Sequence, residues 1–152
     1  MVLRRVVVTG LGALTPIGNN IEEYWNGLMN GVSGAAPITY FDASKFRTHF
    51  ACELKNFNAE NFLDRKEARK MDRYAQYAMV ASDEAVVDAG FNLEKIDKDR
   101  VGVIWGSGIG GLETFQIEML NFAAGDGTPK FNPFFIPKMI SDIASGHISI
   151  KY

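Results

Sequence analysis

The chain has 152 residues, of which 47% are hydrophobic and 22% charged, with a formal net charge of −2; this composition is typical of a globular protein. A charge so close to zero excludes a global attraction to nucleic acid or to an anionic membrane, so any electrostatic partner must be bound by a local patch. The single cysteine, Cys52, excludes an internal disulfide framework, and no apolar run approaches the roughly 20 residues of a membrane span. A cytoplasmic protein without a nucleic-acid or membrane partner is therefore expected.

Two runs of β-branched and apolar residues predict strands that are buried on both faces, at residues 4–8 and 101–105. Residues 49–54 predict a further, short strand. Because these strands alternate with helical patterns along the chain, the sequence predicts an α/β fold with parallel strand pairing.

Helical patterns fill much of the remaining chain, and the sequence predicts four helices: residues 20–29, 64–90, 112–124 and from Pro137 to the chain end. Asn19 or Asn20 is suited to cap the first helix, whose first turn is acidic. Gly90 is a natural stop for the second helix, which is either long or interrupted. The last helix has a proline in its first turn and no stop signal, and a polar loop at 125–134 precedes it.

The second predicted helix carries a basic stripe. At 100° per residue, four side chains fall within about 120° of one another: Lys66, Arg69, Lys70 and Arg73. The opposite side is apolar and is expected to face a core: Met71, Tyr74, Ala75 and Ala78. Glu67 and Asp72 are near enough to pair with the stripe, so a solvated, salt-bridged surface is one interpretation. A docking surface for an acidic partner is the other.

A glycine-rich turn, Gly106-x-Gly108-x-x-Gly111, joins a predicted strand to a predicted helix. This pattern is typical of dinucleotide-binding turns, in which a pyrophosphate lies on the helix N-terminus. However, no second strand ending in Asp or Glu follows the helix, and the first glycine turn of the chain does not complete the fingerprint either. Glycines that serve tight turns and close packing are the favoured interpretation.

Cys52 and the two histidines do not form a well-supported catalytic or metal site. His49 and Cys52 supply two ligands where structural zinc takes four. Cys52 has apolar neighbours in sequence and is expected to be a small buried residue rather than a nucleophile. His147 lies on an apolar helical face and is expected to pack in or near the core.

Several segments, in chain order, resemble one family. The opening RRVVVTGLGALTPIG at 4–18, RKEARKM at 65–71, GIG at 108–110 and the final stretch at 133–152 are similar to the β-ketoacyl-acyl-carrier-protein synthases of type II fatty acid elongation. The resemblance covers residues 4–152. It implies a thiolase-like α/β fold with layers in αβαβα order, active as a homodimer. Residues 1–152 would be an incomplete N-terminal domain, most of the first half of that fold.

The same resemblance implies roles for individual residues. Ile109, between Gly108 and Gly110, matches the residue that gates acyl length, and a branched side chain between two mobile glycines suits a gate that swings aside. Phe135, and with it Phe134, matches a segment at the dimer interface that reaches the partner subunit's acyl pocket. Four basic residues match positions that dock acyl carrier protein: Lys66, Arg69, Lys70 and, as a second contact, Lys130.

The reaction that the resemblance implies is a decarboxylative Claisen condensation. An acyl group passes from carrier-protein phosphopantetheine to a cysteine, and malonyl-carrier protein then loses carbon dioxide and attacks the thioester. In the family the nucleophilic cysteine and two histidines lie further downstream, so residues 1–152 are expected to hold no catalytic residue, metal or cofactor, and to be inactive alone. Two alternatives remain: a non-catalytic partner that determines chain length, and a dinucleotide-binding module.

Overall fold

The computed structural model describes residues 4–152, which divide into two compact units. The described residues up to Phe57 and Ala81–Phe91 form the first unit; Asn58–Val80 and Asn92–Tyr152 form the second. The elements are α1 (Ile21–Met29), β1 (Ala36–Pro37), β2 (Phe50–Ala51), α2 (Arg65–Arg69), α3 (Arg73–Asp88), α4 (Leu112–Ala124), α5 (Phe135–Met139) and α6 (Ile143–Lys151), with 3-10 turns at Ala59–Asn61 and Lys98–Arg100. None of the helices within these residues is long and apolar enough to cross a membrane.

Local hydrogen bonds fix both ends of α1 in the first unit. The Asn20 side chain accepts the Glu23 N–H at 2.8 Å, and the Glu23 carboxylate accepts the Asn19 N–H at 2.7 Å. After the helix, Gly31 has φ 64° and donates its N–H to the Leu28 carbonyl, a helix ending that favours glycine because the backbone enters the left-handed region. The first predicted helix and its Asn20 cap are therefore confirmed.

Two carboxylates on the C-terminal half of α3 hold the chain that precedes α1. Glu84 accepts the Ala13 N–H with one oxygen and the Ile21 N–H with the other, both at 2.8 Å. Asp88 accepts the Leu11 N–H at 2.8 Å. Side chains therefore satisfy backbone donors in a segment that has no regular hydrogen-bonded structure of its own.

Strand pairing in the described residues differs from the prediction. β1 and β2 pair antiparallel, not parallel, and form a two-stranded sheet. The register places Ala36 opposite Ala51 and Pro37 opposite Phe50. The predicted strand at 49–54 is thus confirmed only at its second and third residues, in β2.

The two predicted buried strands, at residues 4–8 and 101–105, are not strands in the structure. Val6 is 92% exposed and Ile104 is 99% exposed. A β-branched run becomes a strand only where another strand accepts its hydrogen bonds. No named strand in the described part of the chain pairs with either run, so their sequence preference for strand is unmet.

The predicted helix at 64–90 is interrupted, one of the two possibilities that its pattern left open. Asp64 caps α2 by accepting the Lys66 and Glu67 N–H groups at 2.8 and 3.2 Å. The chain breaks after α2, and α3 begins at Arg73. Gly90 follows α3 with φ 63° and is the stop that the sequence predicts.

A small apolar core holds the second unit together. Its buried side chains come from the start of α3, the residues before it, and α6: Met71, Ala75, Ala78, Met79, Ala144 and Ile148. Three of the four residues on the predicted apolar face are among them, and the fourth, Tyr74, packs against the cluster. Burial of this face is worth roughly 25 cal/mol per Å² of apolar surface, and the predicted core face is confirmed.

The last part of the chain forms two helices where the sequence predicts one. α4 matches the prediction at 112–124, and Pro137 lies in the first turn of α5. Ile140 then leaves the helix with φ −66° and ψ 134°. Its carbonyl accepts a hydrogen bond from the Tyr74 hydroxyl, a tertiary contact that local sequence preference does not reveal.

Candidate functional site

The glycine turn before α4 is closely packed at one end and open at the other. Gly110 has φ 84°, and a Cβ there would lie 2.2 Å from the Met139 carbonyl oxygen. A Cβ on Gly111 would lie 2.2 Å from the Lys138 carbonyl oxygen, whereas one on Gly108 would meet nothing within 4 Å. Gly110 and Gly111 therefore serve close packing, and the open end of the turn is at Gly108.

Ile109 lies between these two ends of the turn and is 69% exposed. It lines an open groove together with residues from α4, the end of α5 and the turn that follows: Leu112, Phe115, Met139, Ile140, Ser141 and Asp142. Five of the seven lining residues are apolar, so the groove suits a hydrocarbon chain better than a highly charged ligand.

A buried carboxylate, Asp72, joins the start of α3 to the start of α4. Asp72 is 8% exposed, and its Oδ2 accepts the Thr114 N–H at 3.1 Å and the Thr114 hydroxyl at 2.5 Å. Its Oδ1 accepts the Tyr74 N–H at 3.3 Å. The N-cap of α4 is Gly111, which has no side chain to cap the helix, so Asp72 supplies that cap from the position directly before α3.

The same carboxylate counts against the dinucleotide-binding alternative. A pyrophosphate would need the free N–H groups at the N-terminus of α4. The Gly111 N–H already donates to the Met139 carbonyl at 2.9 Å, and the Thr114 N–H donates to Asp72. A phosphate at this position would also approach a carboxylate that lies within hydrogen-bond distance of the helix, and like charges repel.

The two residues after Asp72 make further links between α3 and the walls of the groove. Arg73 Nε lies 3.3 Å from Glu113 Oε2 in the first turn of α4. The Tyr74 hydroxyl donates to the Ile140 carbonyl. Burial, and after it the negative charges of two nearby aspartates, raises the pKa of Tyr74 above its usual 10.0, so the phenol remains protonated and continues to donate.

Phe135, which the sequence assigns to an acyl pocket, belongs to an aromatic stack beside the groove. Its ring stacks on Phe131, with centroids 5.6 Å apart, and on Phe115, with centroids 6.3 Å apart. Phe122 extends the array beyond Phe131 at 5.5 Å. Because Phe115 also lines the groove, the structure connects Phe135 to the Ile109 groove. Phe134 is 41% exposed.

The basic stripe is divided between two helices. Lys66 and Arg69 lie on α2, are exposed, and form no ion pair with any described residue. Lys70 forms the C-cap of α2 and binds Glu67 at 2.6 Å. Arg73 begins α3. The sequence predicts one helical face for all four basic residues, but the structure keeps only Lys66, Arg69 and Lys70 together.

Two other charged residues of the sequence prediction lie apart from this face. Asp72 is wrongly predicted to pair with the stripe, because it is buried and binds Thr114. Lys130 is exposed in the connection between α4 and α5. The structure thus groups Lys66, Arg69 and Lys70 on one short helix and leaves Lys130 on a separate loop.

Cys52 is exposed, and the expectation of a small buried residue is wrong. It lies one residue beyond β2, and its apolar sequence neighbours do not cover it. His147 is half-buried as expected, and burial lowers its pKa; Glu67 raises this pKa and Lys70 lowers it, both to a smaller extent. Among residues 4–152, no three side chains of His, Cys, Asp or Glu are grouped as a metal site.

Sequence reasoning missed the double capping role of Asp72. The signal was present, because Asp is a preferred N-cap and stands directly before the apolar pattern of α3. The sequence pattern allows an interruption within residues 64–90 but does not place it at Asp72. The partner, Thr114, is 42 residues away, and no local pattern connects the two.

Comparison with protein families and with curated proteins gives consistent results. Residues 3–152 match a family described as β-ketoacyl synthase, N-terminal domain. The chain is 48% identical over 147 residues to 3-oxoacyl-acyl-carrier-protein synthase 2 of Staphylococcus aureus strain COL, and the match covers 97% of this chain. It is 47% identical over 148 residues to the synthase of the same name from Synechocystis sp., again over 97% of this chain. The chain spans 35% of the length of both relatives.

Three solved structures have similar folds. The ishigamide ketosynthase/chain length factor is 32% identical with a TM-score of 0.78, and the match covers 97% of this chain and 36% of that one. A β-ketoacyl synthase from Burkholderia phymatum STM815 is 28% identical with a TM-score of 0.76, at 97% and 36% coverage. A ketosynthase in complex with its type II PKS acyl-carrier protein, bound to the hexaketide, is 22% identical with a TM-score of 0.78, at 96% and 39% coverage; it shows the fold alone. The predicted α/β, thiolase-like fold class is confirmed.

Proposed function

The chain belongs to the β-ketoacyl synthase family, and from this membership we propose that it is the carrier-docking and acyl-gating part of a 3-oxoacyl-acyl-carrier-protein synthase that elongates fatty acids. The observation that carries the proposal is 48% identity to such a synthase over 97% of the chain. Since the chain spans 35% of that relative, the activity belongs to the whole protein and not to residues 1–152 alone.

The exposed basic face of α2 supports docking of an acidic carrier protein. Lys66 and Arg69 are free of internal ion pairs within the described chain, so their charges are available to a partner. Lys70 is partly neutralised by Glu67 at 2.6 Å and adds less. Charges of this kind speed association and fix orientation more than they add affinity, and salt weakens them. Lys130 would make a second contact, from the loop after α4.

The apolar groove beside Ile109 supports binding of an acyl chain. Ile109 is the exposed branched side chain at its edge, and it is the residue that the family resemblance assigns to the gate. The backbone at Gly110 is held by the Met139 and Ser141 backbones, so rotation of the gate would occur at Gly108, where space is open. Phe135 would support the groove through Phe115.

In the proposed reaction, an acyl group moves from carrier-protein phosphopantetheine to a cysteine thiolate, which is both a good nucleophile and a good leaving group. Malonyl-carrier protein loses carbon dioxide, and the resulting carbanion attacks the thioester and releases the thiolate. Residues 1–152 would contribute docking and acyl-length selection. The cysteine, two histidines and the oxyanion hole would come from the remainder of the protein, and neither a metal nor a further cofactor is proposed.

A non-catalytic partner that determines chain length is the second candidate. One observation supports it, the 32% identity to a structure described as the ishigamide ketosynthase/chain length factor. Homodimer assembly belongs to the first candidate and heterodimer assembly to the second. A cytoplasmic location is proposed for both, since a lone exposed cysteine suits a reducing compartment.

Condensation by the complete protein tests the proposal. Acyl-carrier protein and malonyl-carrier protein are supplied, and the elongated product is measured by mass spectrometry together with the intact mass of the enzyme. We expect an acyl adduct on one cysteine and an acyl product lengthened by two carbons. The isolated chain, residues 1–152, is the control and is expected to give neither. A complete protein that forms no adduct and no product, but binds an active synthase, would favour the second candidate instead.

A further inference from the structure

Asp72 links the start of α3 to the start of α4, which directly follows the proposed acyl gate. It stands two residues after Lys70 in sequence and is itself 8% exposed. One carboxylate oxygen accepts the N–H of Tyr74, in the first turn of α3. The other accepts both the N–H and the hydroxyl of Thr114, in the first turn of α4. A single side chain therefore caps two helices at once.

The helix that Asp72 caps begins directly after the gate segment. Gly111, the N-cap of α4, and Gly110 are packed against the backbone of Lys138 and Met139, so the start of α4 lies directly against the end of α5. Ile109 directly precedes Gly110 and lines the groove. The position of Ile109 relative to the groove wall therefore depends on the position of the first turn of α4. Asp72, which does not line the groove, binds that turn through Thr114.

We propose that Asp72 is a positioning residue for the acyl gate: its hydrogen bonds to Thr114 fix the first turn of α4, and through it the place of Ile109 in the groove and the selection of acyl length. Asp72 is not one of the residues that line the groove. The inference rests on the proposed function for its kinetic consequence, but the positioning of Ile109 stands on the geometry alone.

The free energy of one hydrogen bond to a charged group sets the size of the expected effect. A hydrogen bond to a charged group contributes enough that its loss changes an equilibrium by roughly tenfold. Thr114→Val removes the hydroxyl bond and keeps the N–H bond and the side-chain shape. Thr114→Ser restores the hydroxyl. Asp72→Asn keeps the shape but replaces one accepting oxygen with a donor.

The chain offers a matched control in its other unit. Thr39 donates both its N–H, at 3.1 Å, and its hydroxyl, at 2.6 Å, to the carboxylate of Glu53. This is the same pair of bonds that Thr114 makes to Asp72. Thr39→Val therefore removes a hydroxyl–carboxylate bond of the same chemical kind, more exposed than that of Thr114, from residues that do not line the Ile109 groove.

The kinetic test compares a long and a short acyl primer on the same carrier protein, using the complete enzyme. We expect Thr114→Val and Asp72→Asn to change the ratio of kcat/KM for the two primers by about fivefold or more, with KM for the carrier protein changed less than about twofold. Thr114→Ser and Thr39→Val are expected to keep the wild-type ratio. An unchanged ratio in Thr114→Val, or an equal change in Thr39→Val, would overturn the proposal, whatever happens to Tm.

A second measurement does not depend on activity. In protein with labelled isoleucine methyl groups, the Ile109 methyl NMR signal should shift or broaden in Thr114→Val and return in Thr114→Ser. If the wild-type protein shows no condensation, the proposed function fails, and the methyl signal still decides whether Asp72 positions Ile109. A signal that stays in place in both Thr114→Val and Asp72→Asn would refute the positioning role.

Discussion

At the scale of single residues, two glycines of one turn have opposite requirements. Gly110 has φ 84° and no room for a Cβ, whereas a Cβ at Gly108 meets nothing within 4 Å. The residues look alike in the sequence, because the pattern Gly-Ile-Gly is symmetric about Ile109. The left-handed backbone of Gly110 and the close approach of the α5 backbone together distinguish it from Gly108.

We expect Gly110→Ala to destabilise the protein by about 2–4 kcal/mol, because the left-handed backbone and the clash with the Met139 carbonyl add together. Gly108→Ala is the control and should change stability by no more than about 1 kcal/mol. Urea unfolding of both variants measures the difference. Equal stabilities would mean that the α5 backbone yields more readily than its contacts with Gly110 suggest.

The sequence identifies candidate residues in the site but not how they meet. Ile109 and Lys66 can be named as candidates from the sequence, because each lies in a short segment that resembles the family: GIG at 108–110 and RKEARKM at 65–71. The Asp72–Thr114 contact is not recognisable, because it joins residues 42 positions apart and each has an ordinary local explanation. Cys52 is mispredicted for a related reason: apolar sequence neighbours indicate burial only if an element covers them.

Among the helices, α2 has only five residues, and a single side chain, that of Asp64, caps the N-terminus of the helix that carries Lys66 and Arg69. Asp64 accepts two of its N–H groups, and the exposed charges follow within one turn. Since a helix this short is not stable on its own, its contacts within the second unit must hold it. The break before α3 also separates Arg73 from the other basic residues, so that the proposed docking surface is shorter than a continuous helix would present.

We expect Lys66→Glu to weaken binding of acyl carrier protein by about fivefold at low salt, equivalent to roughly 1 kcal/mol. The loss should shrink as salt is added, because the interaction is between exposed charges. Lys98→Glu makes the same change of charge in the 3-10 turn at Lys98–Arg100 and serves as the control. Fluorescence anisotropy with labelled carrier protein gives both affinities, and an equal loss in the two variants would show a net-charge effect without a docking face.

At the scale of the whole molecule, helices are predicted better than strands. The helices begin and end at signals within the chain, such as Asn20 before α1 and Gly90 after α3. The runs at 4–8 and 101–105 carry a strong strand preference, yet no described strand pairs with them. A strand needs hydrogen-bond partners that can lie far away in sequence. Local composition therefore predicts that a segment prefers the strand conformation, but not which other segment pairs with it.

The two oxygens of Glu84 have a consequence for how the first unit assembles. They accept the N–H groups of Ala13 and Ile21, which lie 71 and 63 positions earlier in the chain. Both amides are therefore protected from hydrogen exchange only while α3 is in place. Their hydrogen exchange should therefore follow one shared opening event. Glu84→Ala should speed exchange at both amides by roughly tenfold, while Leu11, which donates to Asp88, keeps its rate. Residues 13–21 would then take their final conformation only after α3, 63 to 71 residues further along the chain, has formed.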